Sequence, residues 1–97
     1  MNSDNIKRIE IDEDGKLHLV TEAEKFTLIY RTATEVHWDP VKHSLYSPKP
    51  RDWSYIKWFD HIRNVAEKEC YCKLYLTEKT EWLNVPSDLK NDIISRT

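Results

Sequence analysis

At 97 residues and a net charge of −2, the chain has the size of one domain and lacks the basic excess of a polyanion binder. Hydrophobic residues make up 39% and charged residues 33%, and eleven large aromatics exclude a disordered chain. The single glycine, Gly15, excludes phosphate-cradling glycine loops, and apolar runs of only two or three residues exclude a membrane-spanning helix.

The start, Met1-Asn2-Ser3-Asp4-Asn5, has no basic stretch followed by an apolar one, so it does not read as a secretory signal. The expected setting is cytoplasmic, with Cys70 and Cys72 reduced. Charge is unevenly spread. Residues 1–25 carry four basic and seven acidic side chains, whereas residues 40–63 carry five basic and two acidic. Such a dipole can orient a partner or a second copy of the chain.

The first element is a hairpin. Ile9 and Ile11 alternate with polar residues, as do Leu17 and Leu19, with Glu13-Asp14-Gly15 between them. A three-residue loop with Gly15 left-handed sets Ile11 opposite Leu17 and Ile9 opposite Leu19, which gathers all four on one face. Arg8, Glu10, Asp12, Lys16 and His18 then share the other. A two-residue turn would scatter the pattern.

Residues 26–33 fit two periods. Phe26, Leu28 and Tyr30 alternate, but Phe26, Ile29, Tyr30 and Ala33 also share a helical face. The β-branched residues Thr27, Ile29, Thr32, Thr34 and Val36 favour strand, continuing through 34–39. Asp39-Pro40 starts a turn and Leu45-Tyr46 a short return strand.

Pro48-Lys49-Pro50 enforces an extended crossing. Asp52 is the expected N-cap of the main helix, about 53–69, whose stripe is Tyr55, Trp58, Phe59, Ile62, Val65 and Ala66. Lys57, His61, Asn64 and Lys68 form its polar face, and Arg63 with Glu67 reads as a solvent ion pair. Cys70, Cys72, Leu74 and Leu76 alternate as the inner face of a strand, and a short strand follows around 82–85. Ser87 is positioned to cap a last helix carrying Asp88, Leu89 and Ile93. The order β-β-β-β-α-β-β-α gives an α+β domain spanning 1–97. Its sheet is expected to be antiparallel, with one main helix packed on one face and a short C-terminal helix.

The segments Tyr30-Arg31, Val36-His37-Trp38-Asp39, Leu45-Tyr46-Ser47-Pro48 and Pro50 to Tyr55, with Trp58-Phe59 and His61-Ile62, form a distinctive aromatic-rich pattern. In these the chain resembles small proteins encoded on the mobile gene cassettes of bacterial integrons. The resemblance runs from the first hairpin to the last helix and is densest over residues 30–62. It implies a bacterial cytoplasmic setting and a small α+β fold, and it brings no catalytic residue with it.

Three constellations invite chemistry. His37, Asp39 and His43 have strand-and-turn spacing that could ligate a metal, yet residues opposite Val36 and Trp38 are also where a solvated face belongs, and no metal is assigned. Cys70 and Cys72 on one strand face are at the limit of disulfide reach and read as buried apolar groups. His61 could serve as a base, but helical spacing sets it on the polar face. No cofactor motif is present.

The stretch 46–58 combines basic residues, prolines and aromatic rings. Tyr46, Lys49, Arg51, Trp53 and Ile56 are the binding residues it points to, since cations beside flat rings suit anionic or aromatic ligands and subunit contacts. The reading is a binding or interaction module acting as a homo-oligomer, a dimer in its simplest form. Its partners are a second copy and a small anionic or aromatic ligand. Overall charge disfavours nucleic acid, and no membrane partner is expected. The competing readings are a small enzyme using His37, Asp39 or His61, and a weak binder of nucleic acid or anionic ligands.

Overall fold

The computed structural model describes residues 2–32, 34–48 and 52–96. Strand β1 (Asn2–Ile11) and strand β2 (Leu17–Thr21) form the expected hairpin, with Ile11 opposite Leu17 and Ile9 opposite Leu19. Gly15 adopts φ 82°, the left-handed value the loop demands. Asp12 holds the turn by accepting the amides of Asp14 and Lys16 on Oδ1, each at 2.9 Å.

Ile6 and Ile9 both face the core, which simple alternation forbids. The register slips between Ile6 and Arg8, leaving Lys7 as a bulge that returns Ile9 to the inner face. Downstream, β5 (Cys72–Tyr75) pairs with residues 2–5 of β1 and β6 (Glu81–Leu83) with residues 8–10, both on the same edge. They act as one strand interrupted opposite the bulge, where Thr80 Oγ1 donates to the carbonyl of Ile6 at 2.7 Å. Both run parallel to β1, so the sheet is mixed and not wholly antiparallel. The 16-residue helix between β1's hairpin partners and β5 supplies the crossover that parallel pairing needs. The sheet order is β3-β4-β2-β1-β5, with β3 (His37–Asp39) and β4 (Ser44–Tyr46) pairing antiparallel.

The strand expected over 26–33 is not formed. Residues 29–32 make a 3₁₀ helix, with the Ile29 amide bonded to the Phe26 carbonyl at 3.1 Å and Arg31 to Leu28 at 3.0 Å. A three-residue repeat sets Phe26 and Ile29 on one side, where both are buried, and this burial outweighs β propensity. Ala33 lies outside the described residues. Glu35 takes φ 65°, so the following strand starts only at His37.

Helix α1 (Tyr55–Cys70) begins later than expected, because Ser54 and not Asp52 is its N-cap: Ser54 Oγ accepts the Lys57 amide at 3.3 Å. It buries Trp58, Phe59, Ile62, Val65 and Ala66. Tyr55 Oη donates to the Gly15 carbonyl at 2.8 Å, fastening the helix start to the hairpin turn. Cys70 closes α1 instead of opening a strand, and Tyr71, left-handed at φ 54°, reverses the chain into β5. Helix α2 (Ser87–Ser95) is capped by Pro86, with Ser87 as its first residue and no side-chain cap, and buries Ile93. The fold is α+β. Both helices and the 3₁₀ helix contribute to one core with Leu17, Leu19 and Leu45. Among the described residues no helix is long and apolar enough to cross a membrane.

Candidate functional site

The helical elements all pack into one core on one side of the sheet, and among the described residues no helix covers the opposite face. Its residues come from the positions that alternate with Leu17, Leu19 and Leu45: Arg8, Glu10, His18, Ser44 and Tyr46, with His37 and Asp39 at the β3 edge. A wet sheet face would leave such side chains exposed. Here Glu10 is 5% exposed, His18 2% and Ser44 0%, as enclosed as the core.

His18 sits at the centre of a hydrogen-bonded chain. Its Nε2 pairs with Asp12 Oδ2 at 2.8 Å, and its Nδ1 with Ser44 Oγ at 2.8 Å. Asp12 accepts from the imidazole, so the tautomer that carries its proton on Nε2 leaves Nδ1 to accept from Ser44. Burial would raise the Asp12 carboxyl, but the amides of Lys16 and Asp14 and the His18 ring outweigh it and hold the acid below its ordinary value. This bonding order, acid to imidazole to hydroxyl, is that of an activated serine. Ser44 is fully enclosed, however, and a nucleophile must be reachable by its substrate, so in this conformation the chain of bonds orders the sheet face.

Beside it, Glu10 lies between two cations. Lys42 Nζ donates to Oε2 at 2.6 Å, which raises the lysine pKa, and Arg8 Nε stands 3.4 Å from Oε1. Over His18 the Tyr46 ring stacks at 5.1 Å, His37 packs against Tyr46 at 5.4 Å, and Lys16 Nζ lies 5.6 Å from the same ring. Nothing in the sequence spacing brings Ser44 to His18, because the contact closes over 26 residues. The nearest signal is the pairing of two acids with a histidine on the polar face of the first hairpin.

The sequence-predicted residues divide between the two sides of the sheet. Tyr46 lies on the open face. Trp53 and Ile56 are half-buried on the helix side, against the core. The Trp53 ring is 4.7 Å from Trp58 and 5.1 Å from His61, with Lys57 Nζ 4.8 Å above it. Lys49 and Arg51 lie outside the described residues.

His61 is not on a solvated face. Its Nε2 bonds the Thr34 carbonyl at 2.9 Å and its ring closes on Trp58 at 5.5 Å, which fixes it as a packing residue of the helix flank. His37, turned to Tyr46, is not brought to it. Asp39 Oδ1 accepts the amides of Val41 and Lys42, and His43 packs edge-on against Trp38 at 4.9 Å. Among the described residues, no group of three His, Cys, Asp or Glu side chains is positioned to hold a metal ion.

Both cysteines are free; Cys72 is buried and Cys70 half-buried. Burial, with Glu24 and Asp4 nearby, pushes the Cys72 thiol up to about 11, and burial beside Glu69 raises Cys70. Alkylation at pH 7 is therefore expected to be slow in the folded protein, more than 100-fold below the denatured chain for Cys72, as read by mass spectrometry over time. Equal rates in the two states would show that the thiol is accessible.

Three comparisons with known proteins bear on this architecture. The sequence model of the family described as Integron Cassette Protein Hfx_Cass5 matches residues 4–80. Among solved structures, the Integron Cassette Protein Hfx_Cass5 from the mobile metagenome of North West Arm Sewage Outfall is 39% identical. The match covers 98% of this chain and 95% of that one, with a TM-score of 0.52. No curated protein matches the sequence. The family match spans all but the first two residues of the hairpin, together with β3, β4, α1 and β5, which are the elements that build the open face and its support, and the chain belongs to the Hfx_Cass5 integron cassette protein family.

Proposed function

We propose that this protein is a binding and interaction module of the bacterial cytoplasm that acts as a homo-oligomer, with the open sheet face around Tyr46 as its contact surface. The observation that carries the reading is the burial of Glu10, His18 and Ser44 on a face without a covering helix. Enclosing charged and polar groups is costly unless each is bonded, and a face needed only for solubility would not assemble such a network. Ring contacts of Tyr46 with His18, His37 and Lys16, and the bond from Lys42 to Glu10, hold these groups in position, which lowers the entropy lost when a partner docks. Tyrosine and flanking cations suit a flat or anionic surface, including that of a second copy.

The test is association measured by sedimentation across protein concentrations, with Tyr46→Ala and His37→Ala variants. Tyr46→Ala is expected to weaken association by about 1–2 kcal/mol while the monomer stays folded. A wild-type protein that remains monomeric at all concentrations, or a Tyr46 variant that associates unchanged, would overturn the assignment of this face.

A further inference from the structure

The segment between β2 and the 3₁₀ helix is held by bonds that no strand or helix supplies. Asp4, 9% exposed on β1, accepts the amides of Ala23 at 2.9 Å and Glu24 at 2.8 Å on Oδ2. Thr21 Oγ1 donates to the Glu24 carbonyl at 2.6 Å. The segment then enters the 3₁₀ helix, whose three-residue repeat sets Leu28 and Arg31 on one side and the buried Phe26 and Ile29 on another.

Between this segment, the end of α1 and the start of β5 lies a cavity of about 440 Å³. Phe26, Leu28, Ile29, Cys70 and Cys72 form its apolar lining. Leu28 stays largely in solvent, although it borders a cavity that an apolar group could fill.

Charges of both signs line the same cavity without meeting. Glu24 and Glu69 stand at its thiol end: after burial, Glu24 is the strongest influence raising Cys72, and Glu69 acts in the same way on Cys70. Arg31 lines it from the 3₁₀ helix, with Lys25 as a second cation. None of these four side chains belongs to the ion pairs formed among the described residues. The lining charges sum to zero, so the complementary ligand carries no net charge but has one charge for each pole. A ligand with a single charge leaves one pole uncompensated. The bonds from Asp4 and Thr21 fix the backbone at Glu24 beforehand, which lowers the ordering cost of binding.

We propose that this cavity binds a small zwitterion whose ammonium and carboxylate are separated by an apolar spacer, the ammonium at Glu24 and Glu69, the carboxylate at Arg31 and the spacer over Phe26 and Leu28. ω-Amino acids and short apolar peptides with free termini share this chemistry. The volume is in the lower part of the range for ligand sites, which suits an occupant of that size. The site shares no residue with the Tyr46 face and stands independently of the reading above.

The test is a titration of the full chain with ε-aminocaproate and, separately, with trialanine, followed by amide nuclear magnetic resonance. Caproate and hexylamine at the same ionic strength are the single-charge controls. Saturable shifts are expected at Leu28, Arg31 and Cys70. A preference for ε-aminocaproate identifies an ω-amino acid site and one for trialanine a peptide site. Arg31→Gln is expected to reduce affinity for the preferred zwitterion about 3- to 10-fold, the scale of one ion pair partly shielded from water, and Glu69→Gln to reduce it in the same direction. Arg31 and Glu69 are both exposed, so the two variants keep the fold. An unsaturated response to both zwitterions, controls that bind as tightly as they do, or an Arg31→Gln variant that binds unchanged would overturn the proposal.

Discussion

Replacing Phe59 by alanine is expected to destabilise the domain by about 3–5 kcal/mol in a denaturant melt, the cost of removing a large ring and leaving a partly collapsed cavity. Phe59 is fully enclosed, one helical turn from Ile62 and about two from Val65, and packs into the core that joins α1 to β1, β2 and β4. A core this small has few other layers to absorb the loss. Leu28→Ala, on a side chain 57% exposed in the segment before the 3₁₀ helix, is the matched control and should change stability by less than about 0.5 kcal/mol. Similar small effects from both substitutions would mean that α1 does not seat on the sheet as described.

The second large effect is expected at Asp12. Asp12→Ala removes the acceptor for the amides of Asp14 and Lys16 and leaves His18 Nε2 buried without its partner. Two bonds to the carboxylate are lost and one buried donor is orphaned; at about 1 kcal/mol for each at this partly exposed turn, a total of about 3 kcal/mol is expected. Asp12→Asn separates the two roles, since the amide oxygen still caps the turn while the charge facing His18 is gone.

The acid side of the stability curve checks the same residue. Asp12 titrates lower in the fold than in the unfolded chain. Its contribution is therefore complete above the unfolded value of about 3.9 and disappears as pH falls through the lower folded value. Wild-type stability should drop through that window more steeply than stability of Asp12→Asn. Parallel curves would show that Asp12 gains nothing from its ionised state.

How far the sequence reached depended on whether the deciding contact was local. The hairpin register was legible because Ile9, Ile11, Leu17 and Leu19 are within ten residues of one another and only one loop length places them on one face. The stripe of α1 was legible for the same reason, since helical spacing repeats within the element. Caps and boundaries were less so: Ser54 and Asp52 are both competent N-caps by residue type, and only the backbone shows that Ser54, extended at ψ 164°, takes the position.

What stayed hidden required distant parts of the chain. Residues 26–32 have strand composition, but burial of Phe26 and Ile29 in a core built by other elements selected a 3₁₀ helix. The parallel run of β5 and β6 along β1 follows from where α1 delivers the chain, and the bulge at Lys7 matters only once those strands arrive.

The candidate sites show the same division. Sequence alone determined that this is a small α+β domain with a defined hairpin and a core helix. Only the tertiary structure placed Tyr46 on the open face and Trp53 on the helix side, joined His18 to Ser44, and turned Arg63 away from Glu67 onto Phe59. The reason is physical: periodicity reports which face a residue takes within its own element, whereas partners across elements are chosen by packing and by the need to satisfy each buried polar group.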